Sequence, residues 1–270
     1  MNMKNKKNIT GLFVPLVTPF YRGKFDETSM KKLIKSLDPS VDGYIPCLSS
    51  GEGKKLSVKE WEAVTKLACS STKKPVFAGI LQESEKEIFA LIQKTNKLPC
   101  TGIVVPTLYD SDEKNFKYLK QVAEKSIKPI LFYNTEEHPL KAVATIEKLD
   151  SLPKIVAVKD SSMNMALFKK LIALKKQNKL HMSIFQGMEH LLLQSAGCDG
   201  YVISLLNTEP KLCKTMFQKQ DKATNDRIIA KFWEQNLGGN WYISLKAILH
   251  ERGIIHSAEE IKLTIKIWNK

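Results

Sequence analysis

The stretch Ile155-Val156-Ala157-Val158-Lys159-Asp160-Ser161-Ser162-Met163-Asn164 decides how this chain is read. Four apolar residues in a row, most of them β-branched, fit a strand buried on both faces, as in a parallel sheet covered by helices. A single lysine then closes the run. The carboxyl ends of such strands are where parallel α/β folds keep their chemistry. In an apolar site the ammonium form of lysine is disfavoured, which frees the amine to attack a carbonyl. The competing reading is that the strand has ended and Lys159 points into water. Asp160 should face the opposite way and serve a helix start.

Working outward, further apolar runs lie at 12–17, 44–48, 76–80, 103–105, 130–133, 182–186 and 201–204. Stretches of helical periodicity separate them. Asp26 caps a helix carrying Met30, Leu33, Ile34 and Leu37, and Ser57 with Glu60 forms a capping box ahead of Trp61, Val64, Leu67 and Ala68. Residues 165–174 are predicted helical, 191–196 a short helix, and the chain is helical again to its end around Trp233, Trp241, Leu245 and Leu249. Successive strands fall mostly about 25–33 residues apart, the βα repeat of a (β/α)₈ barrel. The predicted fold is therefore α/β, a (β/α)₈ TIM barrel over 1–215 with additional C-terminal helices over 216–270 packed on it as one structural unit. An open doubly wound sheet is the rival, but it would place a Gly-rich turn after the first strand, where Thr18-Pro19-Phe20 stands.

The 270 residues are 43% hydrophobic and 26% charged, ordinary for a soluble globular protein. The net charge of +14 would admit nucleic acid, yet the lysines (31, 32 and 35; 169, 170, 175, 176 and 179) are spread along helical faces with no arginine cluster and no interleaved aromatics. No nucleic-acid partner is expected; the same field would steer a small anionic substrate. Five scattered cysteines, at 47, 69, 100, 198 and 213, show no metal-ligand spacing and suggest reduced thiols in a cytoplasmic protein. Lys4, Lys6 and Lys7 ahead of 11–20 superficially resemble a signal peptide, but Pro15 and Pro19 interrupt the run and it reads as a strand. No run approaches the roughly 20 apolar residues of a membrane span.

The predicted strand ends carry Thr18, Ser49-Ser50-Gly51-Glu52, Tyr109, Tyr133-Asn134, Lys159, Gly187 and Ser204. Together they supply an amine nucleophile, a phenol for proton transfer and a hydroxyl-rich loop running into Gly51 that can donate to a carboxylate. Those are the parts of an enzyme that works through an imine. Taken singly, Tyr133 also fits an aromatic closing a strand, and Ser49-Ser50-Gly51 a plain turn.

Several segments also follow a family pattern in order and spacing. They are Gly11-x-x-x-Pro-Leu-Val-Thr-Pro-Phe20, Ser49-Ser50-Gly51-Glu52 with Leu56-Ser57 and Glu60, Pro75-Val76-x-Ala-Gly79, Tyr133-Asn134, Val158-Lys159-Asp160-Ser161-Ser162, Gln186-Gly187 and Gly200-Tyr-Val-Ile-Ser204. Over roughly residues 9–215 the chain resembles the dihydrodipicolinate synthase and N-acetylneuraminate lyase family of class I, pyruvate-handling barrels. The resemblance implies that Lys159 forms the Schiff base and that Tyr133, polarised by Ser49, shuttles the proton. It further implies that Ser50 meets the pyruvate carboxylate and that Gly187 and Ile203 line the pocket. No metal and no organic cofactor is implied; the partners are a 2-oxo acid such as pyruvate and an aldehyde, and the assembly a homodimer or homotetramer.

The departures bear on the second substrate. Where the synthase branch continues Tyr-Asn as Val-Pro-Ser-Arg-Thr-Gly, this chain has Thr135-Glu136-Glu137-His138-Pro139-Leu140, with His138 in the arginine's place and without its bidentate fork. The family's Pro-Tyr-Tyr is Pro106-Thr107-Leu108-Tyr109, and Glu189 in Gln186-Gly187-Met188-Glu189 could contact a hydroxylated substrate. The expectation is a pyruvate-dependent lyase or aldolase resembling dihydrodipicolinate synthase with an altered second-substrate site. An N-acetylneuraminate or 2-keto-3-deoxy sugar acid aldolase is the alternative, and a non-catalytic barrel of the same family a further one.

Overall fold

Eight parallel strands alternate with helices in the computed structural model, which describes residues 8–262; Lys4, Lys6 and Lys7 lie outside the described residues. The strands are β1 (Gly11–Pro15), β2 (Gly43–Ile45), β3 (Phe77–Gly79), β4 (Gly102–Pro106), β5 (Ile130–Asn134), β6 (Ile155–Asp160), β7 (Ser183–Gln186) and β8 (Gly200–Tyr201). Parallel pairing runs continuously from β3 through β8 to β1 and β2, and a parallel bridge between Tyr44 and Val76 joins the two ends. That closure makes the sheet a (β/α)₈ barrel and rules out the open doubly wound alternative.

The helices are α1 (Glu27–Leu37), α2 (Val58–Ser70), α3 (Glu85–Thr95), α4 (Asp112–Lys125), α5 (Val143–Asp150), α6 (Met165–Lys176), α7 (Pro210–Lys219), α8 (Lys222–Glu234) and α9 (Trp241–Glu251). Their ends follow local chemistry. Asp26 accepts from Ser29 N at the start of α1, and the Ser57–Glu60 capping box is made in both directions at α2. After β7 the expected short helix takes the form of two 3₁₀ turns, Glu189–Leu191 and Leu193–Ser195. A hairpin of Phe20–Tyr21 with Lys24–Phe25 was not foreseen; its turn takes positive φ at Arg22 and Gly23.

Two apolar layers result from the strand period of two. Leu12, Val14, Ile103, Val105, Phe132, Val158 and Ile184 point outward to the helices, while Phe13, Ile45, Phe77, Val104, Leu131, Ala157, Phe185 and Val202 fill the barrel. Phe13 meets Phe77 and Phe185 edge to face at 5.9 and 5.5 Å. Each of these rings occupies space that its neighbouring strand leaves open with a glycine: a Cβ would come within 2.3 Å of the Phe13 ring at Gly43, 2.3 Å of Phe77 at Gly102, and 2.5 Å of Phe185 at Gly200. Large and small residues thus interlock around the barrel, which is why β2 and β8 can be short and still close it. Gly43→Ala should therefore overpack the interior and lower stability by about 1–3 kcal/mol, read by chemical denaturation; wild-type stability would contradict this packing.

Candidate active site

The interior register determines where Lys159 goes. Ala157 faces into the barrel, so Lys159 two residues on does too, and Leu131 gives Tyr133 the same direction on β5. The two are direct neighbours in the β5–β6 pairing. Strand β6 runs two residues further than its apolar run suggested, so Lys159 is not the solvated end of a strand: it is only 6% exposed, with Nζ 4.0 Å from the centroid of the Tyr133 ring. Asp160 faces the other way. Its carboxylate accepts from Ser162 N and Oγ at 2.9 and 2.8 Å and from Asn134 Nδ2 at 3.1 Å, shaping the loop after β6; helix α6 is capped by Asn164 instead. Burial nevertheless raises the Asp160 carboxyl above its ordinary value, against those hydrogen bonds.

Lys159 and Tyr133 share a cavity of about 400 Å³ at the carboxyl ends of the strands. Ser49, Ser50, Gly187 and Glu189 also line it, as does Glu136. Its far wall comes from the C-terminal helices and the segment between them, through Phe232, Leu237, Gly238 and Trp241. Gly187 is a close-approach position, since a Cβ there would lie 2.1 Å from Ser161 Oγ and 2.8 Å from Lys159 Cε. Ser161 Oγ is buried and has no hydrogen-bond partner among the described residues, although Ser161 lines the cavity.

The hydroxyl loop is held from several sides. Ser50 Oγ lies 2.9 Å from Ser204 Oγ and accepts from Trp241 Nε1 at 3.3 Å, while Thr18 Oγ1 donates to Gly51 O at 2.7 Å. Gly51 and Ile203 are buried and stand behind the lining rather than in it. Ser49 lines the cavity, yet among the described residues no hydrogen bond joins it to Tyr133. Glu189 is buried and its carboxylate accepts from Leu205 N at 3.0 Å, at the start of the 3₁₀ turn Ser204–Asn207. Burial raises its carboxyl above the ordinary 4.5, with the backbone donors and Lys159 acting in the opposite sense.

His138 is not brought to Lys159. It lines an adjoining pocket with Lys54, Thr107, Leu108 and Glu137, and its Nδ1 lies 2.9 Å from Asp110 Oδ1. Tyr109 likewise turns away, its hydroxyl donating to Glu85 at 2.7 Å, and that carboxylate pushes the phenol up to about 12. Sequence reasoning missed the cavity wall on α8 and α9, and it missed Glu136, whose place in the Tyr133 loop was on view in the sequence.

The profile described as the Dihydrodipicolinate synthetase family matches residues 8–259. The chain belongs to this family. The match runs beyond the barrel through α9, so the helices that wall the cavity are part of the family's architecture. The 4-hydroxy-tetrahydrodipicolinate synthase of Thermodesulfovibrio yellowstonii is 27% identical over 220 residues, covering 78% of this chain and 75% of its own length. That of Nitrobacter hamburgensis is 28% identical over 256 residues, covering 88% and 86%. Among solved structures, a prophage protein of E. coli K12 from the dihydrodipicolinic acid synthase family, in complex with pyruvate, superposes with a TM-score of 0.83 at 22% identity, covering 96% of this chain and 93% of that one. Family membership sets the chain among lyase- and aldolase-type enzymes. No helix among the described residues is long and apolar enough to cross a membrane, and no cluster of His, Cys, Asp or Glu among them could hold a metal ion.

The raised Glu189 carboxyl has a pH consequence. Its contribution to folding stability is fully present below its ordinary value of 4.5 and is lost as pH rises through the elevated native value. Glu189→Gln keeps an acceptor for Leu205 N and removes the ionisation, so its stability should exceed that of wild type increasingly as pH rises above 4.5. Parallel denaturation curves from pH 4 to 8 measure this, and a constant difference between the two proteins would contradict it.

Proposed function

We propose that the protein forms a covalent imine between Lys159 and a 2-oxo acid such as pyruvate, and uses it to make or break a bond to an aldehyde-derived partner. The observation that carries this is a buried lysine amine set 4.0 Å from the ring of Tyr133 at the carboxyl end of a barrel strand. The amine adds to the ketone carbon and water leaves. The protonated imine then withdraws electrons from the adjacent carbon, whose proton or carbon–carbon bond becomes easier to lose. Tyr133 is the group within reach to move that proton. The Ser50 hydroxyl lines the cavity and can donate a hydrogen bond to the carboxylate, and the unpartnered Ser161 hydroxyl can donate another to the bound substrate. No metal or organic cofactor is required by this scheme.

The activity proposed first is that of a 4-hydroxy-tetrahydrodipicolinate synthase with an altered second-substrate site. A second reading, an aldolase for an uncharged hydroxylated aldehyde, is favoured by the cavity lining, which holds Glu136 and Glu189 but no arginine, and by the pairing of His138 with Asp110 outside it. A turnover screen of pyruvate with aspartate semialdehyde, N-acetylmannosamine and short sugar aldehydes separates the two.

Borohydride added with pyruvate should trap an adduct on the wild-type protein and none on Lys159→Ala. Tyr133→Phe should still be trapped while losing roughly 10²–10⁴-fold in turnover. A wild-type protein that stays unmodified under conditions trapping a control aldolase would sink the proposal.

A further inference from the structure

The hydroxyl loop of the cavity is fixed from the other end of the chain. Within residues 47–53, Cys47 and Glu52 have φ of 63° and 52°, a left-handed conformation that residues with a Cβ keep only where their surroundings impose it. The Glu52 side chain is fully buried and pairs with the equally buried ammonium of Lys246 on α9. Its carboxylate also takes Lys55 Nζ at 3.2 Å and Ile261 N at 3.0 Å, and Lys246 Nζ donates to Glu259 O at 2.9 Å. Five residues earlier on the same helix, Trp241 reaches Ser50. One helix therefore grips Ser50-Gly51-Glu52 at both ends, while Thr18, in the segment after β1, holds the middle.

Stability alone is a poor reason for this pair. Removing two charges from water costs about as much as their attraction returns, and well-packed apolar replacements are often as stable or more so. What such a pair does supply is a unique geometry: Glu52 must sit where Lys246, Lys55 and the Ile261 amide converge, and the two preceding residues follow.

We propose that Lys246 is a positioning residue for the substrate-carboxylate site. Through Glu52 it fixes Ser49, Ser50 and Gly51 in the conformation that receives the 2-oxo acid. Capture at Lys159 thereby depends on a side chain that touches neither substrate nor reacting atoms. This rests on the imine reading of the cavity.

The test is the pyruvate concentration giving half-maximal borohydride trapping, measured for wild type, Glu52→Gln and the double variant Glu52→Gln/Lys246→Met, with thermal midpoints alongside. The double variant leaves no lone buried charge. Should it fail to fold, Glu52→Gln, which keeps the shape and an acceptor for Ile261 N, is read in the same way. The expected result is a rise of roughly tenfold or more in half-saturating pyruvate, the scale on which misplaced binding groups are felt, with trapping still reached at saturation. Unchanged pyruvate dependence, whatever happens to the thermal midpoint, overturns the proposal and leaves the imine reading intact. A wild-type protein that is never trapped overturns both.

Discussion

Everything at the active end of this molecule depends on strand parity inside a closed barrel. Successive residues of a strand face opposite sides, so once Ala157 and Leu131 pack inward, Lys159 and Tyr133 have no other direction to take. Pairing of β5 with β6 sets them side by side. The phenylalanine–glycine interlock below them fixes that parity, because a slip of one residue would drive the Phe13, Phe77 and Phe185 rings out among the helices and away from the glycines that make room for them. The lysine is thus carried on the rigid part of the fold, with its neighbour chosen by register rather than by loop conformation.

The rim is organised differently. Three buried carboxylates, Glu52, Asp160 and Glu189, lie around the strand ends, and each accepts from a main-chain amide, Glu52 also from lysines and Asp160 also from Ser162 and Asn134 side chains, so that it fixes a loop. Glu52 holds the hydroxyl loop, Asp160 the turn after β6, and Glu189 the 3₁₀ turn beginning at Ser204. Glu136 is exposed on the rim and free of such duties, and it shares the cavity with Lys159. The charge exposed on this side of the cavity rim is therefore that of a carboxylate, opposite to the one a guanidinium would present.

Much of this was legible in the sequence because short-range patterns report on burial. Apolar runs at regular spacing gave the barrel, and the lone lysine closing one of them gave the candidate nucleophile. Serine and aspartate caps marked helix starts. The rest depends on partners far away in the chain. Lys246 reads as one more solvated lysine until Glu52, 194 positions away, is seen to face it. His138 stands in register with a family arginine, yet Asp110, 28 positions away, draws it into another pocket. Glu189 lines the cavity, but nothing in the sequence shows the Leu205 amide that its carboxylate also accepts from. The two 3₁₀ turns after β7 share the apolar composition of a short helix, so composition alone does not reveal their tighter winding.

A crystal structure of the protein grown with pyruvate decides whether a covalent bond forms at Lys159. Continuous density should run from Lys159 Nζ to the ketone carbon, with the pyruvate carboxylate against Ser50 and the methyl group directed toward Tyr133. Pyruvate held without a bond to Lys159, or bound away from this cavity, would rule the imine out.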